Sequence, residues 1–152
     1  NQILEKYDLE VNFYLHAKFQ EYADTFKSIS KRIHLISFGE VAVNEMLMRC
    51  RMLITDYSSV CWDILYQDKP SLFYQFDIEK YNEAHGSYID METELFGDRA
   101  ATQEQLLDYL EETVQNDFHL KPEYEKMRGE YLQFKDHEHS RHICEEIKKR
   151  FH

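Results

Sequence analysis

"LITDYSSVCWD", Leu53 to Asp63, ends an apolar run in a Thr-Asp pair, passes through Ser58 and Ser59, and turns apolar again at Val60. A short apolar strand that closes on polar residues and leads straight into an apolar helix is the pattern of a parallel α/β unit. Met52, Leu53 and Ile54 read as the buried strand and Thr55-Asp56 as its carboxyl end, while Val60, Trp62, Ile64 and Leu65 anchor a helix over Ser59–Tyr66. Ser58 or Ser59 is expected to cap that helix and leave free N–H groups at the mouth of the sheet, where open parallel sheets hold ligands. The hydroxyls of Thr55, Ser58 and Ser59 add donors for phosphate oxygens. A serine that caps its own helix and binds nothing fits the same local composition equally well.

Working outward, three more apolar runs occur at nearly even spacing: Val11–Leu15, Ile33–Ser37 and Ser71–Tyr74. Helical stretches separate them, notably Val43–Cys50, with Gly39 in the turn before it and Lys69-Pro70 stopping the Ser59–Tyr66 helix. The alternation predicts parallel strands joined by crossovers. Asn1–Tyr7 reads as the end of an earlier helix, since it enters a strand with no start of its own. After Tyr74 the pattern changes to a short polar helix over Asp77–Glu83 and a long loop, His85–Thr102, with one brief strand. Thr102 should cap a helix carrying Leu106, Leu107, Leu110 and Val114, and Tyr124–Phe134 and Ser140–Phe151 should form a helical C-terminal tail.

The totals bound the function. A chain of 152 residues, 43% hydrophobic and 14% aromatic, has the length of one domain and enough apolar matter for a core. The expectation from length is a single domain over 1–152. The formal charge of −11 argues against nucleic acid, whose phosphates require clustered cations. It leaves room for a small phosphorylated ligand held by backbone amides. Cys50, Cys61 and Cys144 are scattered and read as buried thiols of a reducing compartment. No apolar run is long enough to span a membrane, and the first residues lack the order of a signal peptide, so a cytoplasmic location is expected.

With those residues in view, "LITDYSSVCWDILYQDKPSLFYQFDIEKY", Leu53–Tyr81, resembles the signature of the CDP-glycerol glycerophosphotransferase family, the teichoic-acid-type polymerases and primases. In "VNFYLHAKF" His16 is similar to the family's His-Pro motif; "HLISFGEVAVNEMLMRCRMLITDYSS" resembles the segment leading into the signature, "HGSYID" its Arg-Gly-Phe-Tyr-Phe-Asp element, and "FKDHEHSRHICEEI" its last helix. The resemblance runs from about Val11 onward. It implies the C-terminal, Rossmann-like half of a GT-B type glycosyltransferase that binds a CDP-glycerol or CDP-ribitol donor. Alditol phosphate would pass to the hydroxyl of a polymer or lipid-linked acceptor, releasing CMP, in cell-surface polymer synthesis at the inner face of the membrane, with peripheral membrane association of the full-length protein. No metal or cofactor is expected.

Residue by residue, the resemblance implies that His16 contacts the donor pyrophosphate or assists the leaving CMP, and that Thr55, Ser58 and Ser59 hold phosphate oxygens. Asp56 orders the loop, Asp63 either does likewise or faces the nucleotide, and His85-Gly86 stands where the family has Arg-Gly. Two departures bear on donor binding. His16 is followed by Ala17 instead of proline, and His85 replaces a permanently charged bidentate cation by a group charged only when protonated. The chain also has no counterpart of the acceptor-binding half with its general base, nor of the Arg-rich strand that opens the C-terminal half, so it is expected to be a fragment that binds donor weakly and does not turn over alone. A nucleotide-sugar glycosyltransferase half and a degenerate, non-catalytic nucleotide-binding module are the alternatives.

Other clusters carry less. Glu138, His139 and His142 have helical metal-site spacing but no distant ligand to complete a set, and read as a solvated helix start. His34 reads as a sheet histidine, and Phe73, Tyr74, Phe76 and Tyr81 as core aromatics more than as a base-stacking platform.

Overall fold

In a computed structural model of the chain, residues 1–26 and 30–151 are described. Five strands, β1 (Val11–Tyr14), β2 (Ile33–Ile36), β3 (Leu53–Thr55), β4 (Ser71–Tyr74) and β5 (Asp98–Ala100), alternate with helices α1 (Gln2–Lys6), α2 (Val43–Arg49), α3 (Cys61–Tyr66) and α4 (Ile78–Ala84). Helices α5 (Gln103–Gln115), α6 (Pro122–Tyr131) and α7 (His139–Phe151) follow. All strand pairs are parallel, as the alternation predicts, so the fold is α/β with parallel sheets flanked by helices. The strands form two ladders instead of one: β1–β2 and β3–β4–β5.

The core belongs to the second ladder. Cys61, Leu65, Phe73, Leu95, Phe96 and Leu120 form it, with Leu53, Trp62, Tyr131 and Leu132 packed against it. Phe73 meets Phe96 edge-on at 5.8 Å, and Trp62 lies 4.6 Å from Phe96 and 5.3 Å from Tyr131. Each such ring removed from water stabilises the fold by about 1.5–3 kcal/mol. Leu95 and Phe96 come from the stretch read as loop, which is thus a structural plug that returns the chain to β5.

Polar ties seat the outer helices. Thr102 caps α5 reciprocally with Gln105, as expected. Lys121 and the Tyr124 hydroxyl both bind Asp98 at the foot of β5, and Lys121 also pairs with Glu112, joining α5 and α6 to the sheet. Lys69 donates to the carbonyls of Leu47 at 2.7 Å and Met48 at 2.9 Å, closing the end of α2.

Four expectations need correction. α3 begins at Cys61, not Ser59, and its N-cap is Val60 with no side-chain cap, so neither Ser58 nor Ser59 caps it. Of the thiols, only Cys61 is buried; Cys50 is half-buried and Cys144 exposed on α7. Ala17–Phe26, in one of the stretches between strands expected to be helical, is a 3₁₀ helix and not an α-helix. α6 starts at Pro122 and ends at Tyr131, because proline favours the first helical turn.

Gly97 tests the plug. A Cβ there would sit 2.1 Å from the Ser71 carbonyl oxygen and 2.9 Å from the Phe73 ring, whereas one on Gly129 would meet nothing within 4 Å. Gly97→Ala should lower unfolding stability by about 3 kcal/mol or more, and Gly129→Ala, inside α6, should raise it by about 0.5–1 kcal/mol. Urea titration of the two variants reads both signs.

Candidate functional site

The loop after β3 is fixed from three sides. The Asp56 carbonyl accepts a hydrogen bond from Gln75 Nε2 at 3.0 Å, and Gln75 is fully buried just beyond β4, with its backbone N–H on Ala100. The Asp56 carboxylate turns back to accept the Tyr57 N–H at 2.6 Å. The Tyr57 hydroxyl donates to Asp77 at 2.9 Å, and its ring stacks on Tyr81 of α4 at 3.6 Å and 6°. Burial, reinforced by the Asp77 carboxylate, pushes the Tyr57 phenol well above its ordinary value, so it remains a donor throughout the physiological range.

The backbone bonds of the turn show where an anion could be met. The N–H groups of Cys61, Trp62 and Asp63 donate to the carbonyls of Ser58, Ser59 and Val60 in a tight turn. Among the described residues the amides of Ser58, Ser59 and Val60 make no hydrogen bond, and Ser58 and Ser59 are exposed. The free amides therefore lie one turn earlier than expected, in the loop and not on the helix. They follow Thr55, the last residue of β3, in the same loop as the Ser58 and Ser59 hydroxyls. Such a run of donors can hold phosphate oxygens without a basic side chain.

The other predicted residues fall at differing distances from this loop. His85 caps the end of α4, 5.3 Å from the Tyr81 ring, and so joins the loop through the Tyr57–Tyr81 stack. Gly86 follows at φ +69, the left-handed conformation that lets a helix stop, which is a sufficient structural reason for glycine there. Asp63 is exposed on the first turn of α3. His16 is exposed beyond β1, its Nδ1 accepting the Lys18 N–H at 3.2 Å and its ring edge-on to Phe19 at 6.3 Å. Among the described residues no hydrogen bond or ring contact connects His16 to the Thr55–Val60 loop.

The remaining clusters take structural parts. His142 bonds Asp136 at 2.7 Å and stacks on Phe134, while His139 bonds the Tyr66 hydroxyl at 3.0 Å, so the two histidines are engaged separately. No group of metal-ligating side chains comes together among the described residues. A cleft of about 560 Å³ opens at the opposite end of the second ladder, where Arg51 pairs with Asp117 and Arg128 with Asp68. Its cations are already neutralised. Gln75 was not foreseen as a positioning residue; the signal lay in an amide side chain set in the apolar run "SLFYQF".

The profile of the family described as CDP-Glycerol:Poly(glycerophosphate) glycerophosphotransferase matches residues 3–149. A teichoic acid poly(ribitol-phosphate) polymerase of Bacillus spizizenii (strain ATCC 23059 / NRRL B-14472 / W23) is 33% identical over 96 residues, covering 63% of this chain and 14% of the relative. A teichoic acid glycerol-phosphate transferase of Staphylococcus aureus (strain NCTC 8325 / PS 47) is 31% identical over 112 residues, covering 70% of this chain and 28% of the relative. The chain thus spans less than a third of the length of either. The solved wall teichoic acid polymerase TagF shares the fold, with a TM-score of 0.69 at 22% identity over 94% of this chain and 36% of that one. No helix among the described residues is long and apolar enough to cross a membrane.

The Gln75 tie can be tested by charge. Gln75→Glu places a carboxylate against the Asp56 carbonyl in a buried site and should cost about 3 kcal/mol at neutral pH. The folded state then favours the protonated acid, which can donate to Asp56. Stability should therefore recover as pH falls toward about 4, the ordinary glutamate range. Tyr57→Phe, which loses one hydrogen bond but keeps the ring stack, should cost only about 1 kcal/mol. Denaturant midpoints across pH measure both.

Proposed function

From the premise that the chain belongs to the CDP-glycerol:poly(glycerophosphate) glycerophosphotransferase family, we propose that it is the donor-binding part of a CDP-alditol dependent phosphotransferase of cell-surface polymer synthesis. The observation that carries this reading is the run of Ser58, Ser59 and Val60 amides, without a hydrogen bond among the described residues, in the loop that also carries the Ser58 and Ser59 hydroxyls and follows Thr55. The diphosphate of CDP-glycerol or CDP-ribitol would lie along these donors. An acceptor hydroxyl oxygen attacks the phosphorus that bears the alditol; its proton passes to a base in the acceptor-binding half, and the bond to the bridging oxygen breaks, so CMP leaves with the electron pair.

The division of labour follows from phosphoryl transfer, where catalysis is mostly positioning and stabilisation of charge on the phosphate oxygens. In this reading the loop amides hold the oxygens, Asp56 and Gln75 keep the loop in place, and His16 offers a proton or positive charge to the departing CMP. His85 takes the place of a fixed cation and supplies charge only when protonated. Asp63 stands beside the loop, and Gly86 sets where α4 stops. Acceptor recognition belongs to a further half of the polypeptide, consistent with the length of the relatives. The full protein would work in the cytoplasm against the inner membrane surface.

Titrating the protein with CDP-glycerol, CDP-ribitol, CMP and a UDP-sugar while following amide resonances tests the reading. Shifts at Ser58, Ser59 and Val60 with the cytidine ligands are expected. A UDP-sugar preference would instead favour a nucleotide-sugar transferase, and no response with any ligand in a protein whose loop is intact would favour a degenerate module. The Ser58→Ala/Ser59→Ala double variant should bind CDP-glycerol about tenfold more weakly, the loss of roughly 1.4 kcal/mol of hydrogen bonding.

A further inference from the structure

A cation held partly out of water normally finds an anion or a carbonyl, because its lost hydration has to be replaced. Arg32 pairs with Asp8, Lys69 donates to the carbonyls of Leu47 and Met48, Lys121 pairs with Asp98 and Glu112, and Arg128 pairs with Asp68. Arg99 of β5 is the remaining partly buried cation among the described residues, and it makes no ion pair or hydrogen bond with any of them. With 29 acidic residues against 18 Lys and Arg, the chain does not lack carboxylates. Those near Arg99 in sequence are engaged: Asp98 by Lys121 and the Tyr124 hydroxyl, Glu94 by the Asp90 N–H. On the diphosphate reading of the Thr55–Val60 loop, we infer that Arg99 is the permanent cation of that site and pairs with an oxygen of the donor diphosphate.

Strand register puts Arg99 at the mouth of the sheet. Thr55, Phe73 and Arg99 are paired in one row across β3, β4 and β5. Side chains alternate along each strand with the same period, so residues paired in register share a face. Gly97, two residues before Arg99, confirms the face, since a Cβ on it would meet the Phe73 ring at 2.9 Å. Thr55 is the last residue of β3, so the row marks the carboxyl end, where parallel sheets bind ligands. Two strand spacings set Arg99 about 10 Å from Thr55. Between them, Gln75 lies two residues on from Phe73 and reaches sideways to the Asp56 carbonyl. A ligand that starts on the Ser58–Val60 amides and runs over Gln75 toward β5 comes to Arg99 on the outer strand.

The chemistry is complementary. Loop amides offer partial positive charge only, and the sequence sets Asp56 and Asp63 on either side of them. A guanidinium adds a full charge and a planar fork that meets two phosphate oxygens at once. His85 carries charge only when protonated, whereas Arg99 is charged at every pH at which the protein works. Partial burial suits this part, because a long stem can be covered while its head stays accessible.

The test follows inorganic pyrophosphate and CDP-glycerol through the amide resonances of Ser58, Ser59 and Val60. Both should bind Arg99→Gln about ten- to a hundredfold more weakly than the wild type, and Arg99→Lys, which keeps the charge and loses the fork, should fall between. Added salt should weaken pyrophosphate binding more steeply in the wild type than in Arg99→Gln. The urea midpoint of Arg99→Gln should match the wild type, since no native ion pair is lost. If that variant does not fold, the Arg99 Nε–H resonance of the wild type decides: a shift with pyrophosphate supports the contact and its constancy overturns it. Equal pyrophosphate affinity in wild type and Arg99→Gln, with the loop amides responding in both, overturns the Arg99 contact and leaves the diphosphate reading standing. If neither ligand moves the loop amides of the wild type, the diphosphate reading fails and the contact falls with it.

Discussion

The bond from the Gln75 side chain to the Asp56 carbonyl holds the site together. β3 is only three residues long, Leu53–Thr55, and a strand that short cannot by itself fix the path of the loop beyond it. A buried amide from just beyond β4 supplies the missing constraint, because leaving the Gln75 side chain without this partner would cost more than the bond itself is worth. Gln75 has its own unmet demand: its Oε1 is buried without a partner among the described residues. The packing of Phe73 and Phe96 beneath sets β4, β4 sets Gln75, and Gln75 sets the loop. The Tyr57–Asp77 bond and the Tyr57–Tyr81 stack then fasten the outer side.

This arrangement suits a chain with a net charge of −11. A diphosphate approaching such a surface is repelled at long range, so the attraction has to be local and directional. Backbone amides provide it without adding basic residues, and the carboxylates of Asp56 and Asp77 accept hydrogen bonds from Tyr57. The loop itself rests on a rigid base of buried aromatics and the Gln75 bond.

Much of the fold was legible because alternating apolar runs have few parallel solutions. β2, β4, α2 and the Thr102 cap fall within a residue or two of their expected bounds. The cap of α3 was misread because serine before an apolar helix is ordinarily a cap; here the turn closes on the Ser58 and Ser59 carbonyls and leaves their hydroxyls outside. The division into two ladders could not be read locally, since apolar periodicity says nothing about which strands are neighbours. Cys144 was misjudged because α7 carries apolar residues at helical spacing, Ile143, Ile147 and Phe151, yet leaves them exposed. The hydroxyls of the loop stand in "TDYSS", but the residue that positions it, Gln75, lies just beyond the next strand, where local pattern gives no sign that its amide reaches back to Asp56.

Trp62 is the chain's single tryptophan, and it sits between Phe96 of the plug and Tyr131 at the end of α6. Its fluorescence therefore reports on the closure of α6 over the core, some residues away from the Thr55–Val60 loop. An emission change on adding a nucleotide would mean that occupancy travels down α3 into the packing of that helix, and a constant spectrum beside shifted loop amides would mean that the base is stiff enough to isolate the two.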